Sequence, residues 1–282
     1  MMSAVTLHRS APYVIFVIRT SAALLFFSHG AQKLWGFTGS PIEQSLLTQR
    51  GAAGLLETIG PVLFALGLFT RLTAFILCGE MCFAYFIRWA PLGFWPLANG
   101  GEEAILFCYL YLWIVTAGPG AWSIDGWLQR QAFWRPARTW KRWLDSLEPY
   151  ARSILRAVSG FFIIQHGVRK TFGMLVLIGG RPGAPPFALD GLLPSVTGYL
   201  DLVTGALLVL GLFTRRVAAV VKVEMLLAYV IVAAPRGPWP ITNGGGEVLL
   251  HAGILAYLVA TGAGAWSVDR AREGPASRPA PT

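Results

Sequence analysis

Six pairs of ionisable residues recur in the two halves of the chain, inside stretches that are otherwise apolar. They are Arg19/Arg156, His29/His166, Lys33/Lys170, Glu57/Asp201, Glu80/Glu224 and Glu103/Glu247. An ionisable side chain at the centre of a membrane helix costs at least ~2.5 kcal/mol, so each pair needs a partner or a function. Histidine and carboxylate side chains are the groups that exchange protons most readily. The set therefore predicts a proton-handling site or a site for a polar head group.

Depth along the helices separates these residues into an outer and an inner group. With a rise of ~1.5 Å per residue, His29, Glu57 and Glu103 lie at a similar depth in the outer third of a membrane. Lys33 follows His29 by four residues and shares its helix face. The equivalent set in the second half is His166, Asp201, Glu247 and Lys170. We expect each set to form one site near the outer surface.

The inner group predicts an ion pair in each half. By the same rise, Arg19 is ~10 Å and Glu80 ~13 Å from the inner surface. Charges inside membranes are tolerated mainly when they are paired, so we expect Arg19 to bind Glu80. Arg156 and Glu224 would form the equivalent pair.

The two histidines leave alternatives open. Each could be a packed, hydrogen-bonded histidine, or could act on protons or a bound quinone. Together, His29 and His166 could also ligate one haem or metal between the halves. No closely spaced group of histidines and carboxylates of the kind that holds a metal is visible, so we predict no metal site.

Five motifs establish that the chain is an internal duplication. Gly-Leu-Phe-Thr-Arg, Glu-Met, Trp-Pro, Asn-Gly-Gly and Gly-Ala-Trp-Ser all recur at an offset of 144 residues, and upstream motifs recur at 137. The change of seven indicates an insertion between Gly179 and Pro186 in the second copy. Each copy must be one structural unit.

The composition is that of an integral membrane protein. Hydrophobic residues make up 55% of the chain and charged residues 13%, and the apolar runs approach the ~20 residues that a membrane helix needs. The net charge of +9 reflects basic residues beside these runs, so it indicates membrane orientation rather than nucleic-acid binding. Cys78, Cys82 and Cys108 have no cysteine counterparts in the second half, which argues for inert thiols.

The apolar runs predict an all-α protein with eight membrane-spanning helices. The predicted spans are Pro12–Trp35, Gly51–Phe69, Arg71–Ala90, Glu102–Gly118, Ala151–Phe172, Leu193–Phe213, Arg215–Ala234 and Gly246–Gly262. Lysine and arginine are more frequent in the segments on the side of the two termini than in those on the other side, which predicts that both termini are cytoplasmic. Four spans per unit is an even number, so the two units are parallel repeats.

These spans divide the chain into four segments. Residues 1–125 form unit one, 126–150 a basic and aromatic interfacial linker, 151–269 unit two, and 270–282 a disordered tail. Asn99 and Glu102 resemble a helix capping box. Gly-Leu-Phe-Thr-Arg reads as a cytoplasmic turn, with Thr70 as its cap and Arg71 reaching lipid phosphates.

At these motifs the chain resembles the DoxX family of four-helix membrane proteins. The resemblance rests on His-Gly-x-x-Lys at the end of span one, the acidic residue in span two, Gly-Leu-Phe-Thr-Arg, and Asn-Gly-Gly-x-Glu before span four. It implies two four-helix units in tandem. The family takes its name from membrane subunits of a quinone-linked oxidase system, and the similar DoxD subunits belong to thiosulfate:quinone oxidoreductases.

The resemblance implies a bacterial inner-membrane subunit of a quinone-linked redox complex. In that hypothesis, His29, Glu57, Glu103 and their counterparts handle protons and quinone, and Lys33 and Lys170 bind the quinone head group. No flavin, iron–sulfur or molybdenum motif is visible, so electrons would come from a partner subunit and the chain alone would not be an enzyme. The alternatives are a permease for a small solute or lipid, and a structural or assembly subunit.

Overall fold

A computed structural model describes residues 4–131, 138–172 and 192–273. Within these ranges all regular secondary structure is helical, which confirms the predicted all-α class. The long helices of these ranges are α1 (Ala4–Trp35), α2 (Gln49–Leu66), α3 (Thr70–Ala84), α4 (Glu102–Ala117), α5 (Arg138–Phe172), α6 (Leu192–Leu210), α7 (Thr214–Ala228) and α8 (Gly246–Thr261). Helices α1–α4 form unit one, and α5–α8 form unit two.

Three of the described helical stretches are long and apolar enough to cross a membrane. They are Arg9–Trp35, Thr70–Leu92 and Thr214–Arg236, and Val196–Leu210 and Gly246–Thr261 are shorter apolar helices. Large apolar side chains point outward from them, among them Phe75 and Ile231, which are 64% and 67% exposed. Such a surface needs lipid around it, because water-exposed apolar patches of this extent are rare on soluble monomers.

The helices pack in chain order within each unit, and the units meet through their first and last helices. In unit one α1 packs on α2, α2 on α3, and α3 on α4, and unit two repeats this order. Between the units, α1 packs on α8, while α4 packs on α5 and α8. The last helix of each unit therefore lies against the first helix of the other.

A glycine after each repeated histidine brings the first two helices of each unit together. A Cβ at Gly30 would lie 2.7 Å from the carbonyl oxygen of Glu57, and one at Gly167 would lie 2.8 Å from that of Gly198. Real Cβ atoms do not approach a backbone oxygen so closely, so only glycine fits. This close approach places Lys33 opposite Glu57.

The Gly-Leu-Phe-Thr-Arg motif is a turn that an aspartate closes. Phe69, with a φ of 49°, directly precedes α3. The carboxylate of Asp125 accepts hydrogen bonds from the backbone N–H groups of Phe69 and Thr70 at 2.9 and 2.8 Å. Asp269 does the same for the second copy, at 2.7 and 2.8 Å. A carboxylate at a helix N-terminus satisfies donors that the helix cannot. The prediction that Thr70 caps the helix was therefore wrong.

Arg71 also differs from its prediction. Its guanidinium donates to the carbonyl oxygens of Val115 and Thr116, at 2.6 and 3.0 Å, and to the carboxylate of Asp145. It therefore ties the N-terminal end of α3 to the end of α4 and to α5, rather than reaching out to lipid phosphates.

The predicted ion pair between Arg19 and Glu80 is corrected by the structure. Arg19 is fully buried and donates to the carbonyl oxygens of Pro119 and Trp122, in the loop after α4. Arg156 donates to the carbonyl oxygen of Trp266 at 2.5 Å, in the equivalent loop, and so does not pair with Glu224. The physical reason is reach, because the long arginine side chain extends as far as the carbonyl oxygens of this loop.

The C-terminal ends of α3 and α7 are interrupted in the same way. A π-helical turn, Tyr85–Trp89 in unit one and Tyr229–Ala233 in unit two, is followed by short helical turns that lead to α4 or α8. Asn99 bridges this connection, since its amide donates to the carbonyl of Gly93 and accepts from the N–H of Gly101, both at 2.8 Å. Asn99 therefore closes the preceding turn, and the expected capping box with Glu102 is absent.

The predicted linker is partly helical. A short helix spans Ile124–Arg130, and α5 begins at Arg138, so the second half of the linker is continuous with the first helix of unit two. Residues 132–137 and the predicted insertion at 179–186 lie outside the described residues. The tail prediction also falls mostly outside them, beyond the short helix Val268–Arg272.

Candidate functional site

An amphipathic cavity of about 950 Å³ opens between the helices of unit one. Apolar side chains of α1, α3 and α4 form one part of its wall, including Phe26, Met81 and Phe107. The ionisable residues of its wall include His29, Lys33, Glu57, Glu80 and Glu103, with Arg50 and Arg88 as further cations. A pocket with an apolar wall and a few convergent polar groups is the usual form of a small-molecule site.

The predicted outer-site residues of unit one therefore lie together. Lys33 on α1 donates to the carboxylate of Glu57 on α2, which is 5% exposed. The His29 Nε2 atom, also on α1, lies 3.4 Å from a carboxylate oxygen of Glu103 on α4. Each basic residue is thus held by an acidic residue of a different helix.

Glu80 belongs to this cavity rather than to the inner ion pair. Both of its carboxylate oxygens are buried, and neither has a hydrogen-bond partner in the part of the chain that the structure describes. It lies within range of the charges of Glu57 and Lys33. A buried carboxylate without a donor is costly, so this group needs a proton or a ligand.

Unit two arranges its equivalent residues differently. Lys170 donates to Asp201 at 2.7 Å and to Glu224 at 3.3 Å, so it is shared between two carboxylates. The second oxygen of each carboxylate is buried without a partner among the described residues. In unit one, by contrast, Lys33 binds only the carboxylate of Glu57, and Glu80 has no hydrogen-bond partner among the described residues.

His166 binds across the boundary between the units. Its Nε2 atom lies 3.0 and 3.1 Å from the two carboxylate oxygens of Glu102, at the start of α4 in unit one. Arg169 contacts the His166 Nδ1 atom at 3.2 Å. Since a guanidinium can only donate, Nδ1 accepts, and the proton of this ring is on Nε2, where it faces Glu102.

His251 and Glu247 on α8 complete this cluster. The His251 Nδ1 atom lies 3.2 Å from the backbone oxygen of Glu247 and 3.9 Å from a carboxylate oxygen of Glu102. One ligand atom each of Glu102, His166 and Glu247 lie within 4.8 Å of one another. We call Glu102, His166, Arg169, Glu247 and His251 the inter-unit cluster.

The inter-unit cluster has the ligand types of a metal site, which we had not predicted, but its surroundings oppose one. A histidine that binds a metal through Nε2 carries its proton on Nδ1 and donates it to an acceptor. Here the Nδ1 atom of His166 faces the guanidinium of Arg169, which is a donor. The inter-unit cluster is therefore better suited to hold a proton than a divalent metal ion.

Three residues of the inter-unit cluster were missed by the sequence analysis. Glu102, Arg169 and His251 align with Gly246, Gln32 and Phe107. Because we considered only ionisable residues that recur in both halves, these three were left out. They could have been found by searching for ionisable residues that occur in only one of the two copies.

The helical fold, its apolar outer surface and the buried ionisable residues define a multi-pass membrane protein. A model of the DoxX family matches residues 14–89 and 151–234, which are the first three helices of each unit. The chain therefore belongs to the DoxX family, and the two matched regions agree with the duplication. This was predicted from the motifs.

One relative is about as long as a single unit. An uncharacterised protein of Haemophilus influenzae is 40% identical over 129 residues, which cover 42% of this chain and 93% of that protein. No solved structure matches the chain.

Proposed function

We propose that this DoxX protein is the membrane subunit of a quinone-linked redox complex and that unit one binds the quinone head group. In this proposal all eight long helices cross the bacterial inner membrane, both termini are cytoplasmic, and the cavity of unit one faces the outer leaflet. Electrons come from a partner subunit, because the sequence shows no flavin, iron–sulfur or molybdenum motif.

The single observation that carries the proposal is the carboxylate of Glu80. Glu80 is part of the wall of the amphipathic cavity, and both of its buried carboxylate oxygens lack a hydrogen-bond donor from the described chain. A protonated carboxyl there can donate to a ligand carbonyl, and an ionised one can accept from a ligand hydroxyl. The site therefore suits a ligand that alternates between carbonyl and hydroxyl groups.

The other residues of the cavity fit a quinone as well. A bound quinone supplies two-electron, two-proton redox chemistry. Phe26 and Phe107 pack against each other behind the apolar part of the wall, with their ring centroids 4.8 Å apart. His29 is oriented by Glu103, and Lys33 by Glu57, so both basic groups are held in place before a ligand binds. Such preorganisation lowers the entropy cost of binding.

Quinone content of the purified protein tests the proposal. We would extract protein reconstituted in lipid nanodiscs and measure quinone by mass spectrometry, in wild type and in Glu80→Ala, with Glu224→Ala as the matched control in unit two. We expect bound quinone in wild type and in E224A and at least about a tenfold weaker affinity in E80A, since a lost hydrogen bond to a charged group costs ~1.5–3 kcal/mol. Absence of quinone from wild type, or equal loss in both variants, would overturn the proposal.

The same preparation distinguishes the alternatives. A permease would move solute or lipid in proteoliposomes without an electron donor. Transporter helices are typically broken near the membrane midplane, whereas the interruptions of α3 and α7 lie near their outer ends, after Ala84 and Ala228. If the protein is a structural subunit, the E80A substitution would lower its stability without changing its quinone content. A haem bound between His29 and His166 would show as a Soret band.

A further inference from the structure

The N-termini of α4 and α8 meet at the boundary between the units, and they bring carboxylates of both units together. Glu102 and Glu103 begin α4, and Gly246 and Glu247 begin α8. The carboxylate of Glu103 lies against Gly246, where a Cβ would be only 2.6 Å from its oxygen. The carboxylate of Glu247 lies near Glu102. Each glutamate side chain therefore reaches the opposite helix.

Glu102 is the most enclosed member of this group. It is 1% exposed and accepts the hydrogen bond of His166 from α5. The ionisable groups that face it are His166 and Arg169 from α5, Glu247 and His251 from α8, and its neighbour Glu103 on α4. Because Arg169 occupies the Nδ1 atom of His166, this imidazole cannot take up a second proton there.

Glu103 faces His29 in the cavity at 3.4 Å, so it is set apart from the other two carboxylates. Glu102 and Glu247 carry two negative charges when both are ionised, and Arg169 carries one positive charge, so these three groups balance if one proton is added. His251 is 2% exposed and donates from Nδ1 to the backbone of Glu247, while its Nε2 atom is buried without a partner among the described residues. No acceptor stabilises a second proton there, so the ring is neutral. One oxygen of each carboxylate lies within 4.8 Å of the other, and two carboxylates this close inside a low-dielectric region do not both ionise readily.

We infer that Glu102 of unit one and Glu247 of unit two form a carboxyl dyad that holds a single shared proton at the boundary between the units. The proton forms an O–H bond on one carboxyl, and the other carboxylate remains charged opposite Arg169. His166 is a positioning residue, since its Nε2–H group orients Glu102. That the dyad exchanges this proton with Glu103 and His29 in the cavity rests on the proposed function, whereas the shared proton itself does not.

Infrared spectroscopy counts protonated carboxyl groups directly and needs no quinone. We would compare the carbonyl band of protonated carboxyls at pH 7 in nanodiscs for wild type, E102Q, E247Q and the double variant, with Glu43→Gln in the 40–48 loop as control. We expect each single variant to lose one protonated carboxyl, because the remaining carboxylate then balances Arg169. The double variant should also lose one protonated carboxyl group, not two.

Three outcomes would overturn the inference. Loss of two protonated carboxyls in the double variant would mean that each is protonated independently, and no loss would mean that neither is protonated. Stoichiometric Zn²⁺ that survives chelator treatment in wild type and is lost in E102Q and E247Q would make the cluster a metal site. If E102Q folds poorly, E247Q alone still shows whether one protonated carboxyl is lost. A failed quinone-binding experiment leaves this count untouched, so the two proposals fail separately.

Discussion

His166 in unit two donates a hydrogen bond from Nε2 to the carboxylate of Glu102 in unit one, at 3.0 Å. Its counterpart His29 contacts Glu103 within unit one instead, at 3.4 Å. The two repeated histidines thus share a position in the fold but contact different residues of the same helix, α4. As a result, the ionisable residues of the two units are joined at their boundary.

Replacing Gly246 should disturb the cavity of unit one from the other unit. In Gly246→Ala the new Cβ would lie 2.6 Å from the Glu103 carboxylate, so Glu103 must move away from His29. Because the contacted oxygen is the end of a flexible side chain, we expect a loss of only about 0.5–1.5 kcal/mol, the cost of an unfavourable rotamer, measured as a lower unfolding midpoint in detergent. Adding Glu103→Ala should restore most of it. A G246A variant that the second substitution does not rescue would contradict this geometry.

Replacing Gly30 should separate α1 from α2. An alanine Cβ there would lie 2.7 Å from the backbone oxygen of Glu57, so α2 must shift and the contact between Lys33 and Glu57 is lost. We expect a clear drop in thermal stability. Gly79→Ala is the matched control, because no atom lies within 4 Å of its new Cβ, and there alanine should be neutral or favourable by up to ~1 kcal/mol. Equal effects of the two substitutions would refute this account of the helix packing.

Asp125 and Asp269 should contribute similarly to stability. Each carboxylate accepts two backbone N–H groups at the start of a helix. Replacement of either by alanine should cost about 1–2 kcal/mol, the range for loss of a helix cap, as measured by chemical or thermal unfolding. The prediction fails if Asp125→Ala and Asp269→Ala both unfold at the wild-type midpoint.

A double-mutant cycle tests the corrected position of Arg19. Arg19→Gln removes hydrogen bonds to buried carbonyls and should destabilise the protein by roughly 2–4 kcal/mol, whereas Glu80→Ala removes no contact of Arg19. The free energies of unfolding should therefore add within about 0.5 kcal/mol. A coupling energy of 1 kcal/mol or more, converted from the measured midpoints, would restore the ion pair that the sequence suggested.

The sequence analysis predicted those parts of the site that depend on helix periodicity. His29, Glu57 and Glu103 were placed at one depth by counting residues, Lys33 was placed on the helix face of His29, and all four line one cavity. Arg19 was misplaced because the rise per residue gives the depth of the Cα atom, while a long side chain can reach a loop several ångströms away. Glu102 was missed because its contact with His166 depends on the packing of α4 against α5, which no periodicity in the sequence encodes.

The difference between Glu102 and Gly246 bears on why one polypeptide contains both units. In a symmetric homodimer of single units these two positions would carry the same residue. Glutamate at both would strike Glu103, and glycine at both would remove the partner of Glu247. A single gene with two copies escapes this constraint, because each copy can mutate alone. The contact between Glu103 and Gly246 and the hydrogen bond between Glu102 and His166 thus need different residues at one repeated position, which two non-identical copies can supply.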